Sequence, residues 1–250
     1  MNAAPAIAFR DVTKRYGGVA VVDGIGLEIL AGSFVALVGT SGSGKSTLLK
    51  MVNRLIEADA GSVHVDGHDV MAGDAPTLRR SIGYVFQHVG LFPHLSVGDN
   101  IAIRARLSGA MPDVAGLLTQ VGLDPAMASR SPRDLSGGQQ QRVGVARALA
   151  GDAKILLMDE PFGALDPVTR DRIGRTVRDL HDRLGLTTIM VTHDMAEALL
   201  LADRVLAMAA GRIMADGTPV EMLRAKDGPA AALVAVPREQ AARLQALAAS

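Results

Sequence analysis

The sequence predicts an α/β fold with a mainly parallel sheet, and three observations carry that prediction. Residues 33–38 are a compact apolar run closed by Gly39, the form of a strand buried on both faces. From 155 to 208, strand-like and helix-like stretches alternate in the rhythm of βαβ units. Between 90 and 150 that rhythm stops. Helical periodicity takes over there, interrupted by Pro93, Pro112, Pro125 and Pro132, and reads as a helical insertion subdomain.

In chain order, residues 7–30 read as short alternating strands broken by Gly17-Gly18 and Gly24. After the strand at 33–38, the apolar spacing from Lys45 to Ile56 becomes helical. Residues 62–65, Asp66-Gly67 and 68–70 form an expected hairpin, because Asp-Gly favours a two-residue turn. Residues 81–87 read as another strand. Beyond the insertion come a strand at 155–158, a helix near 168–184, a strand at 187–192, a helix near 194–202 and a strand at 204–208. Helices are expected on both faces of the sheet. Residues 227–250 are Ala-rich with scattered charges and read as a short C-terminal tail, either a surface helix or frayed. No internal repeat or low-complexity linker divides the chain, so residues 1–250 read as one domain.

Composition narrows the function. Lys plus Arg and Asp plus Glu number 26 each, so the formal net charge is zero. That balance lacks the basic footprint of a nucleic-acid binder and argues against DNA or RNA as partner. There are no cysteines, which excludes a disulfide framework and thiolate catalysis and fits a reducing compartment. Hydrophobic residues make up 48 %, enough for a sizeable core. The first ten residues show no basic segment followed by an apolar core, so no signal peptide is expected. No apolar run approaches the roughly 20 residues that span a bilayer. The expectation is a soluble, cytoplasmic chain whose link to a membrane comes through a partner.

Gly39-Thr40-Ser41-Gly42-Ser43-Gly44-Lys45-Ser46, followed by Thr47, fits the pattern G-x-x-x-x-G-K-[ST] between a predicted strand and a predicted helix. Glycines let the backbone take positive φ and wrap successive N–H groups around an anion. The helix starting near Lys45 adds its positive end. Lys45 can reach β- and γ-phosphates, and Ser46 can offer its hydroxyl to Mg²⁺. ATP and Mg²⁺ are therefore the expected ligands. Further on, the apolar run 155–158 delivers Asp159 and Glu160 at the carboxyl end of a strand, where ligand sites of open α/β sheets lie. Asp159 is placed to hold Mg²⁺ and Glu160 to polarise the attacking water as general base. Leu135 precedes Ser136-Gly137-Gly138-Gln139, which opens a helix with Ser136 as a good N-cap. This is either a capped helix after a loop or a second anion-binding helix start. Two such starts in one chain are redundant unless the second serves another molecule, which points to a dimer clamping each nucleotide between both copies.

Over residues 7–225 the chain resembles the ATP-binding-cassette ATPases, with 135–139 similar to the family signature. That resemblance implies a P-loop NTPase with a RecA-like parallel core, an N-terminal antiparallel β subdomain and an inserted helical subdomain. It also implies roles for single residues. Gln87 matches the glutamine that senses γ-phosphate and Mg²⁺. Asp166, in Ala164-Leu165-Asp166, matches the loop that couples the two protomers. His193 matches the switch histidine on the γ-phosphate, and Tyr16 the aromatic that stacks on adenine. Three plainer readings stand beside these: Tyr16 as a packed aromatic, His193 as a helix cap and Gln87 as a strand-end polar residue. His64 and His68 flank a hairpin turn and read as solvated rather than metal-binding.

The family resemblance further implies a transporter subunit that docks on integral membrane permease subunits and serves, indirectly, a substrate-binding protein. Residues 50–57, 82–87 and 89–94 resemble the osmoprotectant branch, which imports glycine betaine, choline and other quaternary amines; amino acid, sugar, nitrate or sulfonate import remains the alternative, with a soluble non-transport cassette behind it. Many members of that branch append regulatory domains, and only about 25 residues follow the cassette here. A permease helix is expected in the groove around 87–100, with Phe92, Pro93 and Leu95 either exposed to it or packed internally.

Overall fold

The computed structural model describes residues 5–107, 109–151 and 153–248. It opens with two long strands, β1 (Pro5–Tyr16) and β2 (Val19–Leu30), paired antiparallel across Gly17 and Gly18. Gly24 does not break β2. With φ +59° it lies where the pairing slips between Val12↔Ile25 and Lys14↔Val22, a bulge within a continuous strand. Next comes β3 (Phe34–Val38), buried at all five positions, and after a glycine-rich turn α1 (Lys45–Val52). The helix ends before Ile56, because Arg54 takes a left-handed φ of +53°. β4 (Ala60–Val65) and β5 (His68–Asp69) form the expected hairpin, with both turn residues, Asp66 and Gly67, at positive φ.

A helix absent from the sequence-based expectation follows: α2 (Ala75–Ser81). The Asp74 carboxylate caps it by accepting from the Thr77 N–H, but it buries no residue and so carries no apolar stripe to read. After β6 (Ile82–Val85) the chain is helical: α3 (Val97–Leu107), α4 (Val114–Gln120), two 3-10 turns at Pro125–Ser129 and Pro132–Asp134, and α5 (Gly137–Leu149). Then β7 (Ile155–Asp159), α6 (Pro167–Leu184), β8 (Thr187–Thr192), α7 (Met195–Leu201) and β9 (Arg204–Ala209) restore the alternation. The chain continues into β10 (Arg212–Gly217), α8 (Pro219–Arg224) and α9 (Gly228–Ala248). β10 is an edge strand that buries none of its six residues, so its sequence gives no apolar signal.

The strands form a four-stranded antiparallel sheet, β2-β1-β4-β5, and a six-stranded sheet, β10-β9-β3-β8-β7-β6. In the larger sheet every neighbouring pair is parallel except β9 and β10. Its side chains alternate between two cores. Val35 and Leu37 join Leu48 and Leu49 of α1 and Ile7, Phe9 and Ile29 of the antiparallel sheet. Phe34, Ala36 and Val38 join Ile101, Val143, Ile173 and Ala198 from the helices. Helices do lie on both faces, but on one of them α1 shares the cover with the second sheet.

Because β3, β6, β7 and β8 run parallel, their carboxyl ends share one edge. The segments that leave that edge carry residues 39–47, Gln87, Glu160 and His193. Among the described residues no helix is long and apolar enough to cross a membrane.

Candidate functional site

The loop after β3 is shaped by its glycines. Gly39, Gly42 and Gly44 have φ of +151°, +79° and +101°. At Gly39 and Gly44 a side chain is excluded twice over, since a Cβ would also run into the carbonyl oxygens of Met208 and Val21. Gly44 is the N-cap of α1 and gives it no side-chain cap, so the positive helix end faces the loop unscreened. Thr40, Ser41 and Gly42 are exposed at the tip, while Ser43 is buried and Thr47 half-buried. Lys45 is only 5 % exposed. Its ammonium donates to Gly39 O at 2.8 Å, Thr40 O at 2.9 Å and Ser43 Oγ at 3.2 Å. Burial pushes its pKa down, opposed by the negative charges of Glu160 and Asp159.

Asp159, the last residue of β7, reaches the start of α1. Ser46 Oγ donates to its Oδ1 at 2.6 Å, while Lys50 Nζ pairs with Oδ2 at 3.0 Å and the Tyr84 hydroxyl donates to Oδ2 at 3.3 Å. Burial and the adjacent carboxylate drive the Tyr84 hydroxyl well above its ordinary pKa, so it remains a donor. Lys50 and Tyr84 were not singled out in the sequence. Lys50 sits four residues after Ser46, on the same face of α1, and that spacing was readable; Tyr84 gave no signal.

Glu160 follows Asp159 with φ +47°, a left-handed conformation that costs a non-glycine residue about 1–2 kcal/mol. Its N–H donates to Val191 O at 2.9 Å, which ties it to β8 and holds the conformation. The carboxylate receives Gln87 Nε2 at 3.0 Å, and His193 Nδ1 lies 3.5 Å from the same oxygen. Two residues, from the ends of β6 and β8, therefore converge on one carboxylate oxygen at the end of β7. His193 does not cap α7: Asp194 does, accepting from the N–H groups of Ala196 and Glu197.

Other predicted residues lie elsewhere. Ser136 caps α5 in a reciprocal box with Gln139, the Ser136 N–H donating to Gln139 Oε1 at 2.9 Å and the Gln139 N–H to Ser136 Oγ at 3.3 Å. Gly138 is pressed against α6, where a Cβ would come within 2.6 Å of Thr169 Cγ2. Among the described residues, no hydrogen bond joins Ser136, Gly137, Gly138 or Gln139 to 39–47. Asp166 caps α6 by accepting from the Thr169 N–H, and hydrogen bonding from the Thr169 side chain, then from that N–H, holds its carboxyl below the usual range. Tyr16 ends β1 half exposed, 5.6 Å from Lys14 Nζ, and is not a packed aromatic. His68 is exposed as expected, but His64 is half-buried, with Nδ1 enclosed and without a hydrogen-bond partner among the described residues. Phe92 and Pro93 are exposed and Leu95 half-buried. The Phe92 backbone is pinned by buried Asn100, so its ring is displayed beside Phe86 along a groove of about 530 Å³.

Among the described residues, no cluster of three or more His, Cys, Asp or Glu could cage a metal. The donors are instead the hydroxyl of Ser46 and the carboxylate of Asp159, with the Gln87 amide held on the adjacent Glu160. These oxygens suit a divalent cation such as Mg²⁺ that draws its remaining ligands from phosphate and water.

A sequence profile described as ABC transporter matches residues 22–163. The glycine betaine uptake system ATP-binding protein YehX of Escherichia coli (strain K12) is 47 % identical over 225 residues, covering 87 % of this chain and 72 % of that one. The choline transport ATP-binding protein OpuBA of Bacillus subtilis (strain 168) is 45 % identical over 224 residues, covering 87 % of this chain and 59 % of its own length. The chain thus spans about three-fifths of the Bacillus relative. In three dimensions it is similar to a dimeric, post-hydrolysis form of the ATP-binding cassette MJ0796 bound to ADP and Pi, with TM-score 0.77 and 33 % identity over 85 % of this chain and 98 % of that one. The profile takes in the glycine loop, Gln87, the Ser136 helix start and the Asp159-Glu160 strand end, and relatives extend the likeness past His193: the chain belongs to the ABC transporter family.

Proposed function

We propose that this chain is the ATP-hydrolysing subunit of an importer for quaternary-amine osmoprotectants such as glycine betaine and choline. The observation that carries the hydrolytic part is the convergence of Gln87 and His193 on Glu160 beside the Lys45–Ser46–Asp159 cluster. Residues 39–47 cradle the phosphates of ATP, and Tyr16, exposed at the end of β1, stacks on adenine. Lys45 exchanges its bonds to the loop carbonyls for the β- and γ-phosphates. Ser46, Asp159 and Gln87 would hold Mg²⁺, which when bound neutralises charge on the phosphates. Glu160 accepts the proton of the attacking water, and His193 and Gln87 orient it at the γ-phosphate.

The separation of Ser136, Gly137, Gly138 and Gln139 from the loop supports a head-to-tail dimer. In it, each copy places that helix start on the nucleotide held by the other, and Asp166 lies in the loop between the two sites. The groove displaying Phe86 and Phe92 is the proposed seat of a short cytoplasmic helix of the permease, which holds this subunit at the inner face of the membrane; a substrate-binding protein delivers the cargo on the far side. The relatives' names support betaine or choline as cargo. The test is reconstitution with the permease and binding protein encoded beside it. ATP-dependent uptake of labelled betaine or choline is expected, and uptake of sulfate, sugar or amino acid instead overturns the cargo.

A further inference from the structure

We infer that Arg170 is a positioning residue that ties the loop 164–166 to His193, so that the two move as one unit. The inference rests on the proposed roles of Glu160 and His193 in hydrolysis. Arg170 lies one turn into α6, and its guanidinium reaches three places at once. Nη2 donates to Leu165 O at 3.2 Å, within the loop. Nη1 donates to Asp194 Oδ2 at 3.1 Å. Nε stands 3.4 Å from Glu197 Oε1, an ion pair without hydrogen-bond geometry.

Both acidic partners grip the chain beside His193. The Asp194 N–H donates to Thr192 Oγ1 at 3.0 Å, and the Thr192 hydroxyl donates to Glu197 Oε2 at 2.6 Å. The residues immediately before and after His193 are therefore held by groups that Arg170 itself holds. His193 is exposed, with little packing of its own to fix it. On the other side, Gly163, just before the loop, faces the imidazole: a Cβ added there would reach 3.9 Å from His193 Cε1. A rigid guanidinium fork serves this geometry, bonding Leu165 O and Asp194 Oδ2 at fixed spacing while its charge faces Glu197; a flexible ammonium does not hold all three in one arrangement. A displacement of loop 164–166 by a second copy is thereby passed to the histidine through one side chain.

The test uses the full chain with MgATP and the variants Arg170→Met and Arg170→Lys. Turnover, nucleotide affinity, melting temperature and the Hill coefficient for ATP are measured. Because Arg170 touches neither residues 39–47 nor Tyr16, Arg170→Met should lose about tenfold or more in turnover with nucleotide affinity within about twofold. Its Hill coefficient should fall from near two toward about one, which a purely structural role would not produce. Arg170→Lys should recover part of the turnover. Unchanged turnover and cooperativity in Arg170→Met overturn the inference, as does a loss of turnover matched by losses of affinity and melting temperature with cooperativity retained. An unsubstituted chain that hydrolyses no ATP overturns the proposed function instead.

Discussion

Replacing Asp159 by Asn keeps the shape of the side chain and removes its charge, which separates its structural from its chemical role. The carboxylate is buried and accepts three partners: Ser46, Lys50 and Tyr84. An amide preserves one acceptor oxygen, and its NH₂ can donate to the Ser46 hydroxyl. Its oxygen, in the place of Oδ2, can still accept from Lys50 and Tyr84, but without the negative charge that pairs with the Lys50 cation. A hydrogen bond to a charged group contributes about 1.5–3 kcal/mol, and the Lys50 term belongs at the low end because that side chain is 34 % exposed. Asp159→Asn should therefore cost about 2 kcal/mol in urea unfolding, which leaves a domain of ordinary stability folded. Turnover should fall far more, about a hundredfold or beyond, with Mg²⁺ half-saturation moved to higher concentration. Phosphate release measured against Mg²⁺ concentration, alongside urea melts, reads both effects. A variant with the stability loss but unaltered turnover and Mg²⁺ dependence would refute the assignment and leave Asp159 a structural residue.

Three further outcomes follow from the geometry. Lys45→Ala should lose most nucleotide affinity in a fluorescent-ATP titration while the fold survives; unchanged binding overturns the loop's role. Gly44→Ala forces φ +101° on an alanine and drives its Cβ into Val21 O, so it should destabilise by about 2–4 kcal/mol in chemical unfolding. His181 is buried, with Nδ1 at 2.9 Å from Thr188 Oγ1, and burial lowers its pKa from the ordinary 6.5. The unfolded chain then binds the proton first, so unfolding free energy should decline as pH falls below about 6.5, at up to about 1.4 kcal/mol per pH unit. His181→Gln should flatten that decline in acid titrations of stability.

Much of this architecture was legible because its signals are local. The buried strands β3, β7 and β8 are continuous apolar runs, the glycine loop has a fixed spacing, and Asp66-Gly67 dictates its own turn. What escaped was decided by neighbours or left no apolar trace. α2 buries nothing and β10 is a half-exposed edge, so neither carries periodicity. β2 survives Gly24 because pairing with β1 absorbs it as a bulge. In the site, Asp159 and Glu160 were readable as a strand end, whereas Glu160's left-handed backbone depends on Val191 across the sheet. Lys50 and Tyr84 become partners of Asp159 only once β6, β7 and α1 are stacked. His193 and Gln87 could be named from resemblance, but their meeting on one oxygen of Glu160 follows from parallel strands ending at one edge.

In the proposed function Glu160 drives hydrolysis, in a site completed by a second copy. Glu160→Gln retains the side chain's size and an acceptor for Gln87 while removing the base, so turnover should drop by about 10²–10⁴-fold with ATP binding intact. Sedimentation of that variant with and without MgATP is the direct measurement. A nucleotide-dependent dimer with negligible phosphate release is the predicted result; a monomer that binds ATP and hydrolyses it at near-normal rate contradicts the account.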